Sequence, residues 1–330
     1  MNYSASFLLC ALVAWSVTRV YLRWAARMGV LDVPGARSSH PQPTPTGGGV
    51  GILAGVAAGC VATGYGAGLG ADWLCVLAAV PVLAVLGFRD DRGGMPVAPR
   101  LAAQLAAATV VAFVAGARPG DPAALALGVS TVFGVTWATN AFNFMDGIDG
   151  IAGAQALFLA GAAAVLLASN GAAPDSLAVC VAMAGGAAGF LWLNWPPAHV
   201  FMGDTGSQPL GFLLAATAGV TAARGELSLP VWLILWAGFL ADASVTLLVR
   251  AADGNSPLAA HRDHAYQRLA RRWGGHRPVT LLWSAVNMVW LFPLAWLANR
   301  HDGHATAIAL MAWLPLIMAL VWIRRRTAAD

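Results

Sequence analysis

Apolar runs long enough to cross a lipid bilayer dominate the sequence, and they fix its fold class before any motif is considered. A spanning helix needs about 17–25 mostly apolar residues. Eleven such runs lie near 4–24, 48–66, 72–88, 100–117, 123–141, 151–169, 176–194, 207–223, 229–250, 279–298 and 306–323. Clusters of Gly, Pro and charge separate them, such as Pro34 to Gly49, Arg89 to Pro99 and Arg118 to Pro122. Of the 330 residues 58% are hydrophobic and 10% are charged, against roughly 45–50% and about 25% in a soluble domain. These proportions exclude a water-soluble enzyme, and so apolar a chain cannot stay solvated as a disordered one either. No fixed-period repeat, low-complexity tract or linker divides it. The expectation is an all-α integral membrane protein, one bundle of about eleven transmembrane helices forming a single domain over residues 1–330.

Arginine sets the expected orientation. All 19 basic residues are Arg, with no Lys. Arg27, Arg37, Arg89, Arg92, Arg100, Arg262, Arg268, Arg271, Arg272, Arg277, Arg324, Arg325 and Arg326 occupy the tail and the connectors after the odd-numbered runs. Arg19, Arg23 and Arg250 lie at run ends on that side, and only Arg118, Arg224 and Arg300 lie on the other. Sixteen against three is a strong positive-inside asymmetry. It puts the N-terminus in the periplasm and the C-terminus in the cytoplasm. Nothing basic precedes the first run, which therefore lacks the charged start of a cleaved signal peptide and is expected to be kept. The periplasmic connectors carry one acid each (Asp72, Asp121, Asp175, Glu226, Asp302) and read as plain turns. Cys10, Cys60, Cys75 and Cys180 stand singly in apolar runs as small hydrophobes, and the 14 Trp read as packing and interface anchors.

The remaining polar residues gather in the cytoplasmic connectors: Asp90-Asp91, Asn140 to Asp149, His199 to Ser207 and His261 to Gln267. Alternate connectors of a bundle face one compartment, so four clusters converge on one face. Ionisable groups beside a membrane span are costly and point to function. Carboxylates, Arg and His together at a water boundary suit chemistry on phosphates held by a divalent cation. A transporter would more naturally set its acids at mid-membrane, where only Asp242 lies.

Each motif has a plainer reading beside the functional one. Asp90-Asp91 crowds two carboxylates that a cation or a shared proton would relieve, or it is a solvated helix end. In Asn140-Ala-Phe-Asn143-Phe-Met-Asp146-Gly147-Ile-Asp149-Gly150, Asn143 and Asp146 offer hard oxygen atoms, while Asp149-Gly150 stands where a helix cap belongs. Asp204-Thr-Gly-Ser207 crowds a carboxylate and hydroxyls at a helix start, where Asp or Ser capping is equally expected. His261-Arg262-Asp263-His264 can bind phosphate, and the Arg268 to Trp273 stretch after it suits a membrane surface. The first cytoplasmic loop, with Arg37-Ser38-Ser39-His40 and the Gly47-Gly48-Gly49 run, is either a phosphate cradle or a Pro-rich linker.

Taken in order, Arg37-Ser38-Ser39-His40 with Pro43-Thr44-Pro45 and Gly47-Gly48-Gly49, Asp90-Asp91, Asn140 to Gly150, Phe201 to Ser207 and His261 to His264 resemble one family. It is the polyprenyl-phosphate N-acetylhexosamine-1-phosphate transferases (glycosyltransferase family 4), including the branch that initiates O-antigen. The likeness runs from about Asp32 to Gln267. It implies a multi-pass enzyme of the bacterial inner membrane that joins a UDP-N-acetylhexosamine to undecaprenyl phosphate among membrane lipids and releases UMP. Nucleic acid has no part, and a homodimer is left open. By resemblance Asn143 and Asp204 hold Mg²⁺, with Mn²⁺ as a substitute, and Asp90, Asp91 and Asp149 are catalytic. Asn140, Asp146, Ser207, His261, Arg262 and His264 bind the nucleotide-sugar and its diphosphate, and Arg37, Ser38, Ser39 and His40 form a lipid-phosphate or substrate loop.

Departures within the resemblance narrow it. Asp91 is followed by Arg92-Gly93-Gly94 where many relatives carry Lys, and the His-Arg-Asp-His spacing differs from the triple His of the phospho-MurNAc-pentapeptide transferases. The O-antigen or lipopolysaccharide branch is therefore the nearer likeness, and the peptidoglycan role the lesser one. From another class, a transporter or flippase for anionic cargo is the alternative.

Overall fold

The computed structural model of the chain describes residues 2–25, 27–32, 43–66, 68–118, 120–256 and 261–327. A helix occupies every predicted run. Helix α1 (Tyr3–Ala25) leads into a short antiparallel pair, β1 (Leu31–Asp32) and β2 (Thr44–Pro45), with Leu31 opposite Pro45. Then follow α2 (Val50–Gly66), α3 (Ala71–Gly93), α4 (Val97–Val114), α5 (Pro122–Phe144), α6 (Ile151–Asn170), α7 (Pro174–Asn194), α8 (Asp204–Ala223) and α9 (Leu229–Ala252). The chain ends with α10 (Ala265–Trp273), α11 (Arg277–Val286), α12 (Phe292–Arg300) and α13 (Ala305–Thr327). The protein is an all-α, multi-pass membrane protein. Among the described residues, nine helical segments are long and apolar enough to cross a bilayer. Two of the eleven expected runs fall outside that set. The apolar part of α2 is the short stretch Val50–Thr63. Helix α8 opens with Asp204-Thr-Gly-Ser-Gln and is buried from Thr205 through Ala218 by other helices, so its polar first turns never meet lipid.

The run expected at 279–298 is also not one regular helix. A π-helical turn, Asn287–Leu291, separates α11 from α12. Pro293 explains it: the ring has no N–H for the carbonyl of Val289 and crowds it, so the helix widens one turn earlier. The surface segment expected after His264 is α10, which buries Ala265, Tyr266, Leu269 and Ala270 and exposes Arg271, Arg272 and Trp273.

Helices α6, α7 and α9 are about 72% buried along their apolar windows, against 22–28% for the other spans, so with α8 they form the centre of the bundle. Small residues let the first helices close on it. An added Cβ on Gly51 or Gly55 of α2 would lie 2.0 Å from Thr18 Oγ1 or 2.6 Å from the Cys10 carbonyl of α1. On α7, one on Gly189 would lie 2.0 Å from the Ala11 carbonyl. With no hydrophobic drive between helices in lipid, such close backbone approach is what holds them together.

The end of the bundle away from the four polar clusters is more than plain turns. Arg224, after α8, donates to Asp72 Oδ2 at the start of α3 (Nε, 2.8 Å) and to Asp175 Oδ1 at the start of α7 (Nη1, 2.9 Å). It also donates to Ser176 Oγ at 2.9 Å and lies 3.6 Å from Glu226. One guanidinium thus ties three helix ends together. Asp121 behaves as an ordinary turn acid, accepting the N–H groups of Ala123 and Ala124 as the cap of α5.

Gly189→Ala should lower the thermal midpoint in detergent by an amount equivalent to about 1–3 kcal/mol, because its Cβ overlaps α1 backbone. Gly161→Ala on α6, with nothing within 4 Å of the new methyl, should be neutral or stabilising by up to about 1 kcal/mol. Equal effects in the two would remove the close-packing argument.

Candidate active site

The site begins where α3 meets α8. A Cβ on Gly87 would lie 2.1 Å from the Asp204 carbonyl, so only glycine lets the two backbones come this close. One turn later Asp91 closes the start of α8. Its Oδ1 accepts the Asp204 N–H at 2.9 Å, and its Oδ2 accepts the Thr205 N–H at 3.0 Å and the Thr205 hydroxyl at 2.6 Å. A helix start leaves N–H groups without intrahelical partners and carries partial positive charge. A carboxylate from another helix answers both, so neither Asp204 nor Ser207 is the cap. The Gly47–Gly49 run packs beside this junction. Its Gly48 and Gly49 N–H groups donate to the carbonyls of Phe201 and Met202 at 2.9 and 3.0 Å. Those donors are spent on backbone, and they do not form the phosphate cradle the sequence allowed. Arg37, Ser38, Ser39 and His40 lie outside the described residues.

Asp204 is the centre of the next layer. Its Oδ1 accepts Asn143 Nδ2 at 2.8 Å, and its Oδ2 accepts Gln208 Nε2 at 2.6 Å and Arg100 Nη1 at 3.0 Å. Arg100 also donates to Asp90 Oδ2 at 2.5 Å, while Asp90 Oδ1 accepts the Met95 N–H at 2.5 Å. Asn143 Nδ2 reaches Ser207 Oγ at 2.8 Å. Asn140 Nδ2 donates to Gln104 Oε1 at 2.6 Å, and Gln104 Nε2 to Gln208 Oε1 at 3.3 Å. Helices α3, α4, α5 and α8 therefore meet in one polar chain, and it unites the predicted Asp90, Asp91, Asn140, Asn143, Asp204 and Ser207.

The loop after α5 carries more acid. Burial, and the charges of Asp204, Asp91 and Asp149, push Asp146 well above the ordinary carboxylate range. Asp149 does not cap α6 as the sequence suggested. The cap position is Gly150 at φ 76°, with no side-chain bond of its own, and Asn194 Oδ1 accepts the Gly150 N–H at 3.1 Å. The Asp149 carboxylate turns instead to the Ala198 N–H at 3.0 Å and to His276 Nδ1 at 3.0 Å. Asn194 reaches Gly150 from the end of α7, a contact that local spacing does not reveal.

A cavity of about 600 Å³ opens beside the Asp204 layer, lined by Arg100, Gln104, Asn140, His261, His264 and Gln267 among others. It brings the fourth predicted cluster to the first three. Arg262 faces a separate recess of about 360 Å³ with Gly147, Ile148, Arg271 and His276. The apolar end of the large cavity, at Leu105 and Phe133, continues as a groove of about 400 Å³ between α4 and α5. His261 is held near pKa 4 by burial, by the adjacent His264 ring and by the positive Arg250, so it is neutral at pH 7.

Arg100, Gln104, Thr205, Gln208 and His276 are site residues that the sequence reading passed over. Arg100 had counted only as topological charge. Its signal was there: Arg100 and Gln104 stand one turn apart on an apolar helix, and intramembrane polar groups are expensive.

Among the described residues no three His, Cys, Asp or Glu side chains form a ready metal cage. Asp90, Asp204 and Asn143 nevertheless supply hard oxygen atoms, and Mg²⁺ is commonly held by one or two carboxylates completed by substrate phosphate. The acids Asp90, Asp91, Asp149 and Asp204 face chiefly Arg100 as counter-charge, a surplus that suits a cation.

Because the folded protein depresses the His261 pKa, the unfolded chain binds the extra proton first as pH falls below about 6.5. That residue's contribution should thus erode stability between about pH 6.5 and 4 and add nothing above. His261→Gln should share the wild-type thermal midpoint at pH 7.5 and exceed it progressively toward pH 4.5. A constant offset would refute the buried neutral imidazole.

Comparison with known proteins bears on the whole chain. Residues 73–222 match the family described as glycosyl transferase family 4. The decaprenyl-phosphate N-acetylglucosaminephosphotransferase of Mycolicibacterium smegmatis is 30% identical over 319 residues, covering 83% of this chain and 77% of the relative. A probable undecaprenyl-phosphate N-acetylglucosaminyl 1-phosphate transferase of Bacillus subtilis is 27% identical over 289 residues, covering 84% and 80%. A phospho-N-acetylmuramoyl-pentapeptide-transferase of Mycobacteroides abscessus is 31% identical over 299 residues, covering 74% and 82%. With its Asp204 layer inside the matched region and likeness across most of its length, the chain belongs to glycosyl transferase family 4.

Proposed function

We propose that the protein transfers an N-acetylhexosamine-1-phosphate from a UDP-sugar to undecaprenyl phosphate at the cytoplasmic face of a bacterial inner membrane. The step would release UMP and initiate O-antigen, lipopolysaccharide or a related envelope glycan. Membership of the family supports the reaction class, since the similar enzymes named above act on polyprenyl phosphate or on a muramoyl pentapeptide. The observation that carries it is the continuity from the Asp204–Arg100 layer, through the large cavity, into the apolar groove at Leu105 and Phe133. A charged head and a long apolar tail on one molecule require such a pairing. The arginine asymmetry supports the cytoplasmic side.

In this reading an oxygen of the lipid phosphate attacks the sugar-linked phosphorus. The bond from that phosphorus to the bridging oxygen of the uridylate breaks, and UMP leaves. One phosphoanhydride replaces another, so positioning and charge neutralisation carry the catalysis. Asp204 and Asn143 would hold Mg²⁺, which neutralises the diphosphate. Arg100 clamps phosphate oxygen, and Asp90 sets the Arg100 guanidinium. Asp91 acts through α8: both of its oxygens are engaged with Asp204 and Thr205. Asp146 would take its place among the diphosphate-binding groups, its carboxyl pushed toward the protonated form by burial and by the acids around it. His261, Arg262 and His264 receive the donor, and Asp149 fixes the loop over it through Ala198 and His276.

Purified protein given undecaprenyl phosphate, Mg²⁺ and one UDP-N-acetylhexosamine at a time should release UMP, and EDTA should stop it. Asp204→Asn should cut the rate by about 10²–10³ and abolish the rise in thermal midpoint that Mg²⁺ gives the wild type. His264→Ala should impair use of the donor far more than Arg271→Ala on the exposed face of α10. No UMP from folded protein with any donor would overturn the reading, as would full activity of Asp204→Asn for the metal site.

A further inference from the structure

Asp242 is an acid well inside a spanning helix, and nothing so far gives it a task. It is 1% exposed, yet it is not short of donors. Its Oδ1 accepts the Ala265 N–H at 2.9 Å and the Thr246 hydroxyl at 3.1 Å, and its Oδ2 accepts the Tyr266 N–H at 3.1 Å. The carboxylate of α9 thus closes the start of α10, as Asp91 of α3 closes the start of α8.

The residue immediately before that start is His264. Its Nδ1 is fully buried, makes no hydrogen bond, and lies 3.6 Å from Asp242 Oδ1. The ring stacks against Phe144 and Tyr266 and sits 5.0 Å from the His261 ring, and it lines the large cavity with Arg100 and Asn140. Tyr266 completes the arrangement by donating its hydroxyl to the Phe144 carbonyl at 2.9 Å, next to the Asn143–Asp146 loop. The charged groups around this turn are otherwise occupied. Arg250, Arg268 and Arg324 all bind Asp263, and Arg324 also donates to Thr246 Oγ1 at 2.9 Å.

We propose that Asp242 is a positioning residue: by holding the first N–H groups of α10 and the Nδ1 side of His264, it aims the other ring nitrogen at the diphosphate of the nucleotide-sugar. The proposal rests on the reading of the donor given above. A carboxylate beside one ring nitrogen favours the proton on that nitrogen and so fixes what the other presents. A mobile His264 would offer either edge of its ring to the cavity. Held by Asp242 and the aromatic stack, it offers one.

The test is a double-mutant cycle read as UDP affinity by calorimetry, in detergent with Mg²⁺, on wild type, Asp242→Asn, His264→Ala and the double variant. Losing a hydrogen bond to a charged group weakens binding roughly tenfold to hundredfold. Each single variant should show a loss in that range, and the double variant should bind like His264→Ala alone. Losses that multiply, or unchanged UDP affinity in Asp242→Asn, would overturn the proposal. Should Asp242→Asn fail to fold, nitrogen spectra of ¹⁵N-histidine-labelled wild type, assigned against His264→Ala, decide: a neutral ring protonated on Nδ1 supports the proposal and one protonated on Nε2 refutes it. Wild-type UMP release is measured separately. Its absence with an intact cycle would sink the proposed reaction and leave the positioning role standing.

Discussion

The carboxylate of Asp91, at the end of one apolar helix, closes the beginning of another, and the site depends on that contact. The start of α8 brings unpaired N–H groups and partial positive charge into a packed, water-poor place. Left open it would be costly, since buried donors without partners lose their hydration for nothing. Asp91 satisfies the Asp204 and Thr205 N–H groups together. In doing so it fixes the angle at which Asp204, Ser207 and Gln208 leave α8. Gly87 makes the contact feasible by letting α3 lie against α8 backbone. Everything that meets at Asp204, from Arg100 on α4 to Asn143 on α5, is aimed by that one junction.

The two ends of the bundle use charge differently. At the far end Arg224 is surrounded by Asp72, Asp175, Glu226 and Ser176, and the N–H of Gly70 also binds Asp175. Arg224, Asp72, Asp175 and Ser176 find their partners within the cluster and act as a clasp. At the site end the acids are held by helix starts and by Arg100, and Asp146 is pressed toward protonation by burial and then by its acidic neighbours. A cluster whose charges are incompletely balanced by protein is one that a cationic or metal-carrying substrate can complete. The seam of Gly51, Gly55 and Gly189 keeps the rest of the frame stiff around it.

What the sequence made legible follows from range. Apolar runs and their breakers are local, and a helix lies at each expected place. The irregular turn before α12 was written in Pro293, although a hydropathy window smooths it over. The convergence of four polar clusters was legible too, because alternate connectors share a face. Individual roles were not. Asp90 and Asp91 look equivalent in a row, and only a contact 113 residues away turns one into a helix cap and leaves the other with Arg100. Asp149 before Gly150 obeys the local grammar of capping, yet Asn194 takes that place and frees Asp149 for Ala198 and His276. Arg100 was hidden for the opposite reason: its charge already had an explanation in topology.

The acids also bear on how the proposed transfer would run. A phosphate monoester carries about −1.5 to −2 charge at neutral pH, so an acceptor phosphate needs no general base to become a nucleophile. Asp90, Asp91 and Asp149 are each already engaged by N–H, hydroxyl or guanidinium donors. Carboxylates held in this way are poor proton shuttles and good rulers. What the reaction lacks in solution is a means of bringing two anions together in line, and the obstacle is their repulsion rather than their protonation. In the proposed reading, Arg100, the oxygen donors of Asp204 and Asn143, and a His264 ring pinned by Asp242 would all act on that obstacle. The chemistry and the helix-capping pattern of the fold therefore make the same demand: fixed partial charges at helix starts, placed where phosphates would meet.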